Sequence, residues 1–164
     1  MAKAIDPDVA VLAREVVAEV APQELPLFTA ISRVYARDPE RAVKANDSKD
    51  EMLGFGVLAA APLLTPIVIA VAEFVLRFVG SELLRAAKNE GSGVIDSALH
   101  SLAVKVTGPA KTSPPRPARL TPQQLSEVRA VAVQRALALR LAAPKAEQLA
   151  DSLVATLATA PTWR

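Results

Sequence analysis

Asp96, Ser97 and His100 stand together in the chain, and His100 is its only histidine. A hydroxyl nucleophile, an imidazole base and a carboxylate that orients the base are the parts of a serine hydrolase. Their setting argues against that chemistry. Val94, Ile95, Ala98, Leu99, Leu102, Ala103 and Val106 recur in adjacent pairs every three to four positions, which is helical periodicity. Within one helix the three side chains cannot line up as nucleophile, base and orienter, and neither a glycine-turn nucleophile nor an oxyanion site accompanies them. An ordinary i,i+4 contact between Asp96 and His100 is the expectation. The chain has no cysteine, which removes disulfides, thiol catalysis and thiolate metal sites together. One histidine leaves too few ligands for a metal. Phosphate loops, dinucleotide glycines, zinc spacings, helix-turn-helix patterns and internal repeats do not occur. The expectation is a non-enzymatic protein with no catalytic residue, cofactor, metal or small-molecule substrate.

A second pair with chemical character, Glu73 and Arg77, lies in a very apolar stretch. From Met52 to Ala72 no charge appears over 21 residues, about the length that spans the hydrocarbon of a bilayer. Thr65 and Pro66 look like an N-cap and a first-turn proline, so a helix is expected from Pro66 to about Asn89, with Gly54 to Leu64 as a separate apolar lead-in. On that helix Glu73, Arg77, Ser81, Arg85 and Lys88 fall three or four apart and make a narrow polar stripe, with Glu73 and Arg77 in the favoured i,i+4 order. Leu58, Leu63, Leu64, Ile67, Val71, Phe74, Val75 and Phe78 form the membrane or core segment. Two alternatives stay open: residues 53–79 associate with a membrane, or they are buried as the core of the protein. Basic residues flank the run on both sides (Arg41, Lys44 and Lys49 before it, Arg77, Arg85 and Lys88 after), so they choose no orientation.

The elements that must position these residues read as helices throughout. Asp6-Pro7-Asp8 is a helix start, and Val9, Leu12, Ala13, Val16 and Val20 mark one buried face opposite Arg14, Glu15 and Glu19. Pro22 ends that helix. A second helix is expected from Gln23 to Arg37, with Pro26 in its first turn and Leu27, Phe28, Ile31, Val34 and Tyr35 on its apolar face. Asp38-Pro39 caps a third, short helix from Glu40 to Ala45. Thr107 to Arg119 carries prolines 109, 114, 115 and 117 and is expected to be an extended spacer; its PxxP pattern is more simply a spacer than an SH3-type ligand. Thr121-Pro122-Gln123-Gln124 offers a capping box for a helix to Leu141. Ala143-Pro144 turns the chain into a last helix with Ala146, Leu149, Ala150, Leu153, Val154, Leu157 and Ala158 on one face.

The fold class expected is all-α: a helical bundle over residues 1–106 around a long, very apolar central helix, a Pro-rich linker at 107–119, and a C-terminal helical hairpin at 120–160. With 51% apolar but only 4% aromatic residues and six glycines, the composition favours helices in close contact over strands. Two helices of that hairpin bury too little surface to stand alone, so Leu149, Leu153, Val154 and Leu157 must dock on the first domain, pair with a second copy or receive a partner.

Net charge is +2 and unevenly spread: seven basic and ten acidic residues lie up to Glu51, twelve basic and six acidic ones from Arg77 onward. The basic residues are scattered over several helix faces without interleaved aromatics, so nucleic acid is not expected as a partner. The start lacks the apolar core of a signal peptide. The overall expectation is a bacterial helical protein of the cytoplasm or the cytoplasmic face of the inner membrane. The leading expectation is that it associates with the membrane through residues 53–79 and binds a partner protein or itself, with a small membrane-acting effector as a sharper variant. The alternative is a soluble helical adaptor or oligomeric assembly subunit with the apolar helix buried as core.

Overall fold

A computed structural model describes residues 4–44, 63–89 and 120–159, and among them the chain is helical with no strand. Helix α1 (Pro7–Val20) is followed by a 3-10 helix (Pro22–Leu27), α2 (Phe28–Arg37), α3 (Pro39–Lys44), α4 (Thr65–Asn89), α5 (Pro122–Ala138) and α6 (Ala143–Thr159). Asp96, Ser97, His100, Leu58 and the 107–119 segment lie outside the described residues, as do residues 53–62 of the apolar stretch.

The helix starts follow from local chemistry. Asp6 accepts a hydrogen bond from the Asp8 N–H at 2.9 Å, with Pro7 in the first turn, where its missing N–H has no intrahelical partner to lose. Thr121 and Gln124 close a reciprocal capping box: Gln124 Oε1 accepts from the Thr121 N–H at 2.8 Å, and Thr121 Oγ1 from the Gln124 N–H at 3.2 Å.

Two stretches depart from the sequence reading. The helix expected from Gln23 to Arg37 is divided, because Pro26 has no N–H to give to Pro22 and its ring crowds that carbonyl. The chain takes the tighter 3-10 turn instead, with the Glu24 N–H donating to the Ala21 carbonyl at 2.9 Å, and the α-helix begins only at Phe28. The helix expected to reach Leu141 stops at Ala138. Arg140 adopts a left-handed φ of 62°. Its N–H donates to the Leu137 carbonyl at 2.9 Å and the Leu141 N–H to the Ala136 carbonyl at 3.1 Å, the pairing of a Schellman stop. Leu141 closes that stop by burying its side chain.

Four helices touch in a ring: α1 contacts α4, α4 contacts α5, α5 contacts α6, and α6 returns to α1. Helices α2 and α3 cover a further side of α4. The interior is continuous, and it joins Leu12, Val16 and Val17 of α1 to Ile67, Val68 and Val71 of α4 and to Ala132, Ala136, Leu149 and Leu153 of the hairpin. Alanines of that interior, among them Ala13, Ala72, Ala132, Ala136, Ala146 and Ala150, let helix backbones approach one another closely, and larger side chains would hold them apart.

Residues Leu64 to Ala72 of α4 and its lead-in are all buried, whichever way their side chains point. From Glu73 the helix becomes amphipathic: Val75 is fully buried and Val79 is buried, while Arg77, Gly80, Ser81 and Arg85 are exposed. The apolar character of α4 is therefore concentrated in its first turns. Among the described residues no helix is long and apolar enough to cross a membrane.

Candidate interaction surface

Helix α4 enters the interior under the control of a residue forty positions earlier. Glu24, on the 3-10 helix, is only 6% exposed, and its carboxylate meets the start of α4. Oε1 accepts from the Leu64 N–H at 2.8 Å, and Oε2 accepts from the Thr65 N–H at 2.8 Å and from Thr65 Oγ1 at 2.6 Å. Thr65 is thus a donor to a remote carboxylate and the first residue of the helix, where the sequence reading made it the N-cap. A negative charge at this position also complements the positive end of the helix. The arrangement explains how a helix can begin in a buried place: Glu24 takes the N–H groups of Leu64 and Thr65 in place of water, and Pro66 has no N–H to satisfy.

Where α4 emerges, a polar cluster joins three helices. Tyr35 Oη, from α2, donates to Glu73 Oε2 at 3.1 Å, and Arg77 Nη2 donates to Glu73 Oε1 at 2.5 Å. Tyr35 is buried. Burial first, then the negative charge of Glu73 and the hydrogen bond to it, raise the phenol pKa above its ordinary 10.0, against a smaller opposing pull from Arg135 and Arg77. The phenol is therefore a neutral donor at physiological pH.

One residue along, Phe74 presents its ring at the surface, 42% exposed. Arg135 of α5 lies over that ring with 5.1 Å from Cζ to the ring centroid, a cation–π contact. Arg135 Nε is buried and meets no acceptor among the described residues. No described carboxylate forms an ion pair with Arg135. The cluster thus carries two guanidinium charges, one carboxylate already engaged by two donors, and an open aromatic ring.

The residues singled out in the sequence divide among these environments. Leu64, Ile67, Val71 and Val75 are buried, Leu63 and Phe78 are partly covered, and Phe74 is exposed under Arg135. In the polar stripe Glu73 pairs with Arg77, while Arg85 pairs with Glu82 at 3.5 Å. Leu149, Leu153 and Leu157 are buried in the continuous interior and Val154 is partly covered against it, so this face of α6 is occupied by the chain itself. Ser152 adds a polar tie, its hydroxyl donating to Glu19 Oε2 of α1 at 2.6 Å. Arg129 Nε donates to Asp151 Oδ1 at 2.5 Å and links α5 to α6; that hydrogen bond also raises the Arg129 pKa.

Glu24, Arg135 and Ser152 escaped the sequence reading. Glu24 has the appearance of any surface acid between two prolines, and nothing local says that its partner lies forty residues on. Arg135 sits within an apolar register that names only its neighbours. Among the described residues no group of histidine, aspartate and glutamate side chains converges as a metal site would require. No family model matches the chain, and no curated protein or solved structure is similar enough to match it.

Proposed function

We propose that the chain is a non-enzymatic helical interaction module, an adaptor or assembly subunit in which the apolar part of α4 is the core element around which the other helices are arranged. The observation that carries this is the enclosure of Leu64 to Ala72: α1, α2, α3 and α5 all contact α4, and Ile67, Val68, Ile69 and Val71 are at most 2% exposed. A segment already covered by its own chain has no need of lipid to shield it. The polar groups support the same reading. Glu24, Glu73 and Glu19 each hold one helix to another, and such groups serve architecture more than bond-making. Binding then falls to the surface, where an aromatic ring and guanidinium groups of the kind that anchor protein interfaces stand together at Phe74, Arg77 and Arg135.

Fractionation of cells that make the full chain tests this. The expected result is recovery in the supernatant of a high-speed spin and, on detergent-free sizing of that extract, a species larger than the purified chain. Retention in membranes washed with alkaline carbonate, or migration in the extract as the lone chain, contradicts the proposal.

A further inference from the structure

We propose that the ledge formed by Phe74 and Arg135 binds an acidic, apolar peptide segment of a partner protein, with a partner carboxylate pairing to Arg135 and an apolar side chain lying on Phe74. The inference rests on the interaction reading above and names the surface and the chemistry of its occupant.

Charge complementarity supports it. Arg135 is partly buried, its Nε is shut away from solvent, and no described carboxylate pairs with it. A guanidinium presents five N–H donors in a planar fork that matches a carboxylate. The nearby acid does not serve: Glu73 accepts from Tyr35 and from Arg77 and forms no ion pair with Arg135. With Arg77, Glu73 and a neutral Tyr35 beside Arg135, the cluster keeps one positive charge uncompensated among the described residues. That charge lies over an aromatic ring that is itself open on the surface, in a chain with only 4% aromatic residues. Pairing of an incoming carboxylate to the outer N–H groups of the stacked guanidinium would compensate that charge. The fixed position of Arg135 over the ring reduces the ordering that binding requires. Arg77 is 73% exposed at its side chain and adds attraction at the rim.

The test is selection of a random peptide library against the full-length protein. The expected result is enrichment of sequences with Asp or Glu next to a bulky apolar residue. Replacing the acid of a selected peptide by its amide should weaken binding to the wild-type protein about tenfold or more. Arg135→Gln and Phe74→Ala should each produce a similar loss, with folding verified by circular dichroism. Arg135→Lys, which keeps the charge but not the planar fork, should fall between. Enriched peptides without acidic character, or acidic peptides that bind Arg135→Gln as tightly as wild type, overturn this inference and leave the interaction reading standing on another surface. Absence of any enrichment also overturns the inference, and the interaction reading is then judged separately by the size of the species in cell extract.

Discussion

The two halves of α4 are one continuous helix with two different surroundings. In the first, Ile67, Val68, Ile69, Val71 and Ala72 are enclosed around the whole circumference; in the second, Phe74, Arg77, Ser81 and Arg85 face outward while Val75 and Val79 still face in. A helix apolar on every side must be covered on every side, and four neighbouring helices contact this one. An amphipathic helix needs only one covered stripe, and its other face is free for charge. The boundary falls at Glu73, where the buried Tyr35 hydroxyl reaches from α2 and Arg77 reaches from the exposed side. Sequence hydropathy registers both halves as one greasy run; the enclosure separates them.

The largest effect should come from the enclosed half. Ile69→Asp places a carboxylate where the structure offers no partner, and desolvation of an unpaired charge costs several kcal/mol. For a domain of ordinary stability that is enough to abolish cooperative unfolding, read by thermal circular dichroism. If Ile69→Asp melts like wild type, the enclosure of the first half is wrong.

Next comes the staple at the start of α4. Glu24→Gln replaces one acceptor oxygen by an amide nitrogen facing backbone N–H groups, and hydrogen bonds to a charged group are worth about 1.5–3 kcal/mol each. A loss of about 2–3 kcal/mol in urea unfolding is expected. Thr65→Val should cost less, and the double variant should cost less than the sum because both side chains share one hydrogen bond. Strict additivity would mean that the two groups do not interact in solution.

At the boundary, Tyr35 makes stability depend on alkaline pH. Its folded pKa lies above the ordinary 10.0, so folding favours the neutral phenol. That contribution is complete below the unfolded value and is lost as pH rises through the higher folded value. Wild type should therefore lose stability between about pH 9 and about pH 11 more steeply than Tyr35→Phe, measured by urea midpoints at both pH values. Equal slopes would place Tyr35 in a solvent-like environment.

The smallest effect belongs to the exposed half. Phe74→Ser removes a ring that is 42% exposed and a cation–π contact worth about 0.5–1 kcal/mol at such sites. Stability should fall by about 1 kcal/mol or less. A loss as large as that of Ile69→Asp would erase the distinction between the halves.

Much of the helical order was legible in the residues themselves. Asp6 with Pro7, Thr121 with Gln124, and the period of Leu149, Ala150, Leu153 and Leu157 carry local signals that the structure uses in place. Other features have no local signature. The stop at Arg140 lacks the glycine that usually marks a left-handed C-terminal residue, so the apolar spacing alone extends the expected helix to Leu141. Pro26 reads as a first-turn residue of an α-helix, but its missing N–H and its ring against the carbonyl of residue 22 favour a 3-10 helix. The cluster of Tyr35, Glu73, Phe74 and Arg135 joins three helices, and only its Glu73–Arg77 pair is visible as a spacing. Tyr35 read as an apolar-face aromatic because its hydroxyl partner lies thirty-eight positions away. Whether Leu64 to Ala72 would be covered by lipid or by protein was likewise undetermined, since hydropathy measures aversion to water and does not name the cover.

Amide hydrogen exchange on the purified, lipid-free, detergent-free protein tests that enclosure most directly. Val68 to Val75 should be among the slowest amides of the chain and exchange only through global unfolding, with the amides from Gly80 onward markedly faster. Rapid labelling of Val68 to Val75 in the lipid-free protein would contradict the account, because those residues would then lack the protein cover assigned to them.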